Sequence, residues 1–201
     1  MNIIYLLFHG LSPYSGISKK ILHQVKGFEA CGHRVSLCTY SIADNGHRVR
    51  MINNEIIEDY GTGKPAAAKR RVSYQCIYRY AITHQVELIY VRSFHNANPF
   101  TIRLFSKLRK AGIKIAMEIP TYPYDSEYAG FPLVTRLGIQ VDKVFRKTLA
   151  KHVNAIVTFS DYHCIFGQRT IQISNGVDFD SIPLKKTVSK NTSVIHLLGV
   201  A

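Results

Sequence analysis

Residues 2–40 read NIIYLLFHGLSPYSGISKKILHQVKGFEACGHRVSLCTY, and this stretch decides the fold. Residues 2–8 are an unbroken apolar run, closed by His9-Gly10 and a loop of Ser, Pro, Tyr and Gly. An apolar run without alternation suits a strand buried on both faces of a parallel sheet. From Ile17 the period changes: Ile17, Ile21, Leu22, Val25 and Phe28 fall at helical spacing, and Gly32 supplies a stop. Residues 33–40, HRVSLCTY, then alternate as a strand. Strand, helix and strand in such quick succession form a βαβ unit, whose crossover is expected to be right-handed.

The alternation continues outward from this unit. Residues 48–60 predict one or two short strands, with a hairpin around Asn53-Asn54, and residues 65–84 predict a helix starting at Pro65. LIYVRS (88–93) reads as strand, 99–112 as helix and IKIAMEI (113–119) as strand. After a loop rich in Pro and Tyr come a basic helix over 134–151 and the strand NAIVTFS (154–160). A short helix over 161–167 and the strand TIQIS (170–174) follow. This predicts an α/β fold with a doubly wound, mainly parallel Rossmann-like sheet. Beyond Gly176 the texture turns polar, and VIHLLGVA (194–201) begins a fresh apolar strand. The expected organisation is a domain over 1–184, a linker over 185–193 and, over 194–201, the first strand of a further domain.

Composition limits the function classes. The 201 residues are 46% apolar and 19% charged, which allows a core and argues against global disorder. No apolar run reaches the ~20 residues that span a bilayer. The opening MNIIYLLFHG lacks a positively charged start and a small-residue cleavage site, so it reads as a strand and not as a signal peptide. Cys31, Cys38, Cys76 and Cys164 show neither CxxC pairing nor metal-ligand spacing, as expected of free thiols in a cytoplasmic protein. The net charge is +13, with clusters at Lys69-Arg70-Arg71, at Arg103, Lys107, Arg109 and Lys110, and at Arg146-Lys147. Such a surface attracts phosphates, anionic headgroups or nucleic acid, or is simply that of a basic protein. No recognition helix, zinc finger or RNA-binding aromatic motif is present, so nucleic acid is not an expected partner.

In doubly wound sheets ligands bind at the carboxyl ends of the strands. The first such loop runs from His9 to Gly16 and opens into a helix, where Gly16 lets backbone N–H groups approach an anion. It is neither GxGxxG nor GxxxxGK[ST], and an ordinary strand–helix turn explains it equally well. Arg92-Ser93-Phe94-His95 follows one predicted strand and Glu118-Ile119-Pro120 ends another. His95 is a candidate base or substrate contact, and Glu118 either a carboxylate at the mouth of the sheet or the partner of a basic neighbour. Tyr122, Tyr124 and Tyr128 can stack a sugar ring or cover apolar surface. Asp178-Phe179-Asp180 matches a metal-holding DxD, but its place after Asn-Gly-Val favours a turn or cap.

Four pieces together resemble the N-terminal domain of a family 4 glycosyltransferase. Ser15-Gly16-Ile17 is similar to that family's glycine loop, and Gly32-His33-Arg34-Val35 to its lead into the second strand. Ala155-Ile-Val-Thr-Phe-Ser160 resembles the end of a later strand, and Asn175-Gly176-Val177-Asp178 the passage to the second domain. The resemblance implies the GT-B fold of two facing Rossmann-like domains and sugar transfer with retention. It implies a nucleotide-sugar donor as substrate, no cofactor and no obligatory metal, and a glycan or lipid-linked acceptor in surface polysaccharide synthesis. Carried over by position, Ser15 and Gly16 would approach the donor phosphates, while Ser160, Asn175 and Gly176 would shape the cleft. His95 and Tyr122 are the further candidates on the acceptor side. Two departures stand out: Ser15 replaces the loop's first glycine, and Glu118 stands near the place where many members carry a sugar-contacting His. The second domain, which supplies most donor contacts, would be a partner in the same chain, and without it no transfer is expected. The basic clusters at 103–110 and 143–151 would then meet an anionic membrane surface from the cytoplasmic side. The alternative is a stand-alone Rossmann-like module that binds an anion or nucleotide without catalysis.

Overall fold

The computed structural model describes residues 1–92, 96–124 and 133–174. The elements run β1 (Asn2–Leu6), α1 (Gly16–Ala30), β2 (Arg34–Ile42), β3 (Arg48–Ile52), β4 (Glu55–Asp59), α2 (Gly63–Val72) and α3 (Gln75–Thr83). They continue with β5 (Leu88–Arg92), α4 (Pro99–Lys110), β6 (Lys114–Glu118), α5 (Leu133–Ala150), β7 (Ala155–Thr158), β8 (Cys164–Ile165) and β9 (Gln168–Gln172). The sheet order is β4-β3-β2-β1-β5-β6-β7-β9-β8. From β2 to β9 every neighbouring pair is parallel, whereas β3, β4 and β8 join antiparallel at the edges. The chain is therefore a Rossmann-like, doubly wound α/β fold.

Its two windings follow from crossover handedness. The chain steps from β1 to β2 in one direction, and from β5 through β6 to β7 in the other. Right-handed crossovers that travel opposite ways put their helices on opposite faces. Accordingly Ile21, Val25 and Phe28 of α1 pack with Ile3, Tyr5 and Leu7, while α3, α4 and α5 bury Ile77, Leu104, Phe105 and Leu149 against Ile4, Leu6 and Ile89. β1 is thus buried on both faces, as its unalternating run predicts. Strand order reverses between β1 and β5, and the carboxyl ends of these strands mark the switch point.

The hairpin expected at Asn53-Asn54 is present, with both residues at positive φ (48° and 71°), as a two-residue turn of the primed type demands. Two other expectations change. The single helix over 65–84 is two, because Ser73 is extended (φ −100°, ψ 110°) and the buried Tyr74 turns its ring onto Phe8 at 5.8 Å. The expected short helix at 161–167 is instead β8 and a tight turn at Phe166-Gly167 (φ 52° and 81°) that pairs β8 with β9. Among the described residues no helix is long and apolar enough to cross a membrane. The expected linker and the strand at 194–201 lie outside the described residues.

Candidate functional site at the carboxyl edge of the sheet

The loop after β1 leads into α1 with its first turn open. Ser15 is the N-cap at φ −90° and ψ 125°, makes no side-chain capping bond, and no acidic residue occupies the first turn. That φ suits any residue, so a serine here costs no backbone strain. Instead Ser18 Oγ accepts from the Ser12 N–H at 2.9 Å and holds the loop from within. Gly16 is exposed, with no atom within 4 Å of where a Cβ would stand. The position that requires glycine is Gly10, where a Cβ would come 2.8 Å from the Tyr40 carbonyl oxygen. One turn into α1, Lys20 Nζ sits 3.4 Å from the centroid of the Phe159 ring, a cation–π contact. Partial burial lowers the Lys20 pKa, opposed by Glu118 and reinforced by Arg92.

Glu118 ends β6 but does not open to solvent: its exposure is 0%. Arg92 at the end of β5 donates to Glu118 Oε1, an ion pair in which both side chains are buried. Tyr90 Oη donates to Oε2 at 2.7 Å and Gln24 Nε2 of α1 donates to the same oxygen at 3.0 Å. Tyr5 Oη donates in turn to Gln24 Oε1 at 2.5 Å. Burial first, and then the charge of Glu118, raise the pKa of both Tyr5 and Tyr90, so both stay protonated donors. With both oxygens engaged from β5 and α1, the carboxylate ties two strands to the helix. This is the paired-neighbour alternative for Glu118, not an open carboxylate at the mouth of the sheet.

Tyr122 and Ser160 are brought together. The Tyr122 N–H donates to Ser160 Oγ at 2.9 Å, linking the loop after β6 to the end of β7. The Tyr122 ring stands edge-on to Tyr162 at 5.0 Å and to Phe166 at 5.5 Å, so it is built into an aromatic cluster. His95, Asn175 and Gly176, with Asp178 and Asp180, lie outside the described residues. Among the described residues no group of three or more His, Cys, Asp or Glu is placed to hold a metal ion.

Sequence reasoning passed over Tyr5, Gln24 and Tyr90, and named Arg92 only as the start of the loop that carries His95. A signal existed: polar-tipped residues stand inside the apolar runs NIIYL and LIYVR, where a buried strand has room for them only with partners. No family model, curated protein sequence or solved structure matches this chain.

Proposed function

We propose that the chain is the acceptor-side half of a nucleotide-sugar-dependent, retaining glycosyltransferase that acts in surface polysaccharide synthesis. The observation that carries this reading is the uncapped, glycine-led, acid-free first turn of α1, with Lys20 one turn further along the helix and its ammonium over the Phe159 ring. Open N–H groups at a helix start without a competing acidic side chain favour a diphosphate. The motif resemblance supplies the sugar-transfer chemistry. In this reading Ser15 and Gly16 approach the donor phosphates, and Tyr122 and Ser160 border the acceptor. Glu118 acts as a positioning residue through Arg92 and Gln24.

The same reading seats the protein on an anionic membrane surface that presents a lipid-linked acceptor. It is supported by α5, where Leu133, Leu137, Val141 and Val144 are exposed at helical spacing with Arg136, Lys143 and Lys147 interleaved. A helix of this kind lies in the plane of the interface.

The test is to assay the complete gene product, whatever its length, for nucleoside diphosphate release from a panel of nucleotide sugars. Turnover of one sugar is expected, with kcat/KM lowered about a hundredfold in Gly16→Val, whose side chain would stand between the helix amides and the phosphates. A folded product that turns over no nucleotide sugar would leave the anion-binding module as the reading.

A further inference from the structure

A cavity of about 390 Å³ opens at the carboxyl end of β1 on the face opposite α1, between α2, α4 and α5. Three arginines line it: Arg50 from β3, and Arg70 and Arg71 from the end of α2. Arg50 is 1% exposed. One of its terminal nitrogens donates to the Leu7 carbonyl at 2.7 Å, while its Nε is buried without an acceptor. Arg70 donates to the Phe8 carbonyl at 3.3 Å and lies 4.1 Å over the Tyr40 ring, and its Nε is likewise buried without an acceptor. The last two carbonyls of the β1 run therefore hold both guanidiniums at the switch point.

Among the described residues none of the three arginines forms an ion pair, and no Asp or Glu lines the cavity. The ionisable groups around Arg50 do not supply an anion. Burial pushes the Cys38 thiol up to about 12 and raises Cys76 and Tyr60 as well, so all three are neutral at physiological pH. Burial also lowers the pKa of Arg70, opposed by Tyr40 and reinforced by Arg71 and Arg50. Like charges gathered in a poorly solvated place are costly unless an anion joins them. The start of α4 is not the source of attraction, because Asn98 already accepts from the Phe100 and Thr101 N–H groups at 2.9 and 3.1 Å. The rest of the wall includes Phe8, Tyr74, Phe100 and Ile139.

We infer that this cavity binds the phosphoryl group of a small ligand, with Arg50, Arg70 and Arg71 as its cradle and the aromatic and aliphatic wall against the ligand's body. Three guanidiniums match the two or more negative charges of a phosphomonoester or diphosphate better than the single charge of a carboxylate. The inference stands on the arginines and does not need the glycosyltransferase reading.

Inorganic pyrophosphate is the first probe, titrated calorimetrically and by thermal melting at constant ionic strength against acetate. Saturable binding with a raised melting temperature is expected, weakened about tenfold or more in Arg70→Gln and in Arg71→Gln. Arg50→Met should lose binding yet melt no lower than wild type without ligand, since it removes an unpaired buried charge. If Arg50→Met fails to fold, the two α2 variants decide. Arg109→Gln, at the far end of α4, should bind as wild type does. Vesicles of phosphatidylcholine with phosphatidic acid test a lipid source, and sedimentation that needs Arg70 would support the site with a lipid phosphate as ligand. Affinity for pyrophosphate and vesicles unchanged by Arg70→Gln and Arg71→Gln, or acetate binding as well as pyrophosphate, would overturn the proposal.

Discussion

At the end of β6, donors from β5 and α1 converge on one carboxylate that water does not reach. Arg92 neutralises Glu118 through Oε1, and Tyr90 and Gln24 both donate to Oε2, so the pair offsets its own desolvation only while complete. Glu118→Gln should therefore cost about 3–5 kcal/mol, because it leaves Arg92 buried without an anion. Joint replacement of Arg92 and Glu118 by Leu should recover most of that loss, read as coupling in a double-mutant cycle of denaturant unfolding. A loss below about 1 kcal/mol for Glu118→Gln would mean that the pair is solvated, as surface pairs are. At this scale the sequence marked Glu118 as a residue of interest but not what it does. Its hydrogen-bond partners stand 26, 28 and 94 positions away, and no local pattern carries such a distance.

Helix α5 joins two tasks along one element. Its inner positions, Leu149 and Ala150 among them, are buried against the sheet, while Leu133, Leu137 and Val144 face outward at 69%, 59% and 72% exposure. Outward leucines at helical spacing do nothing for the core and leave an apolar stripe open to a further surface. If that is an anionic bilayer, Leu137→Glu and Val144→Glu should abolish sedimentation with anionic vesicles and leave the melting temperature within a few degrees of wild type. Unchanged sedimentation in both variants would remove α5 from the membrane contact. The basic ends of the helices have another local purpose. Lys107, Arg109 and Lys110 occupy the last turn of α4, where cations stabilise the carbonyl end of the dipole. That turn leads directly into β6, so it lies at the amino edge of the sheet, away from the carboxyl-edge residues. Element types were legible because hydrophobic period is a local property. The break at Ser73-Tyr74 was not, because the core contact between Tyr74 and Phe8 sets it.

Across the whole molecule, stability should fall from the centre of the sheet to its β8–β9 edge. Ile4 and Leu6 of β1 are 0% exposed, and β1 is paired on both sides. β9 ends the parallel run with mostly exposed side chains and only the two-residue β8 beyond it. Hydrogen exchange should accordingly be slowest in β1, β5 and β6 and faster by orders of magnitude in β8 and β9. Equal protection at the β8–β9 edge would show that something further covers it. Local sequence is enough for the β/α alternation, the burial of an unalternating first strand on both faces and the turn at Asn53-Asn54. Each of these rests on residues close along the chain, where period, steric freedom and turn chemistry act directly. Only the tertiary structure decided that Arg50 and Arg70 meet at the end of β1, and that Glu118 spends its charge on Arg92 and not on a cleft. Those meetings depend on strand order and crossover hand, which bring distant polar residues to one edge of the sheet and leave burial to choose their partners.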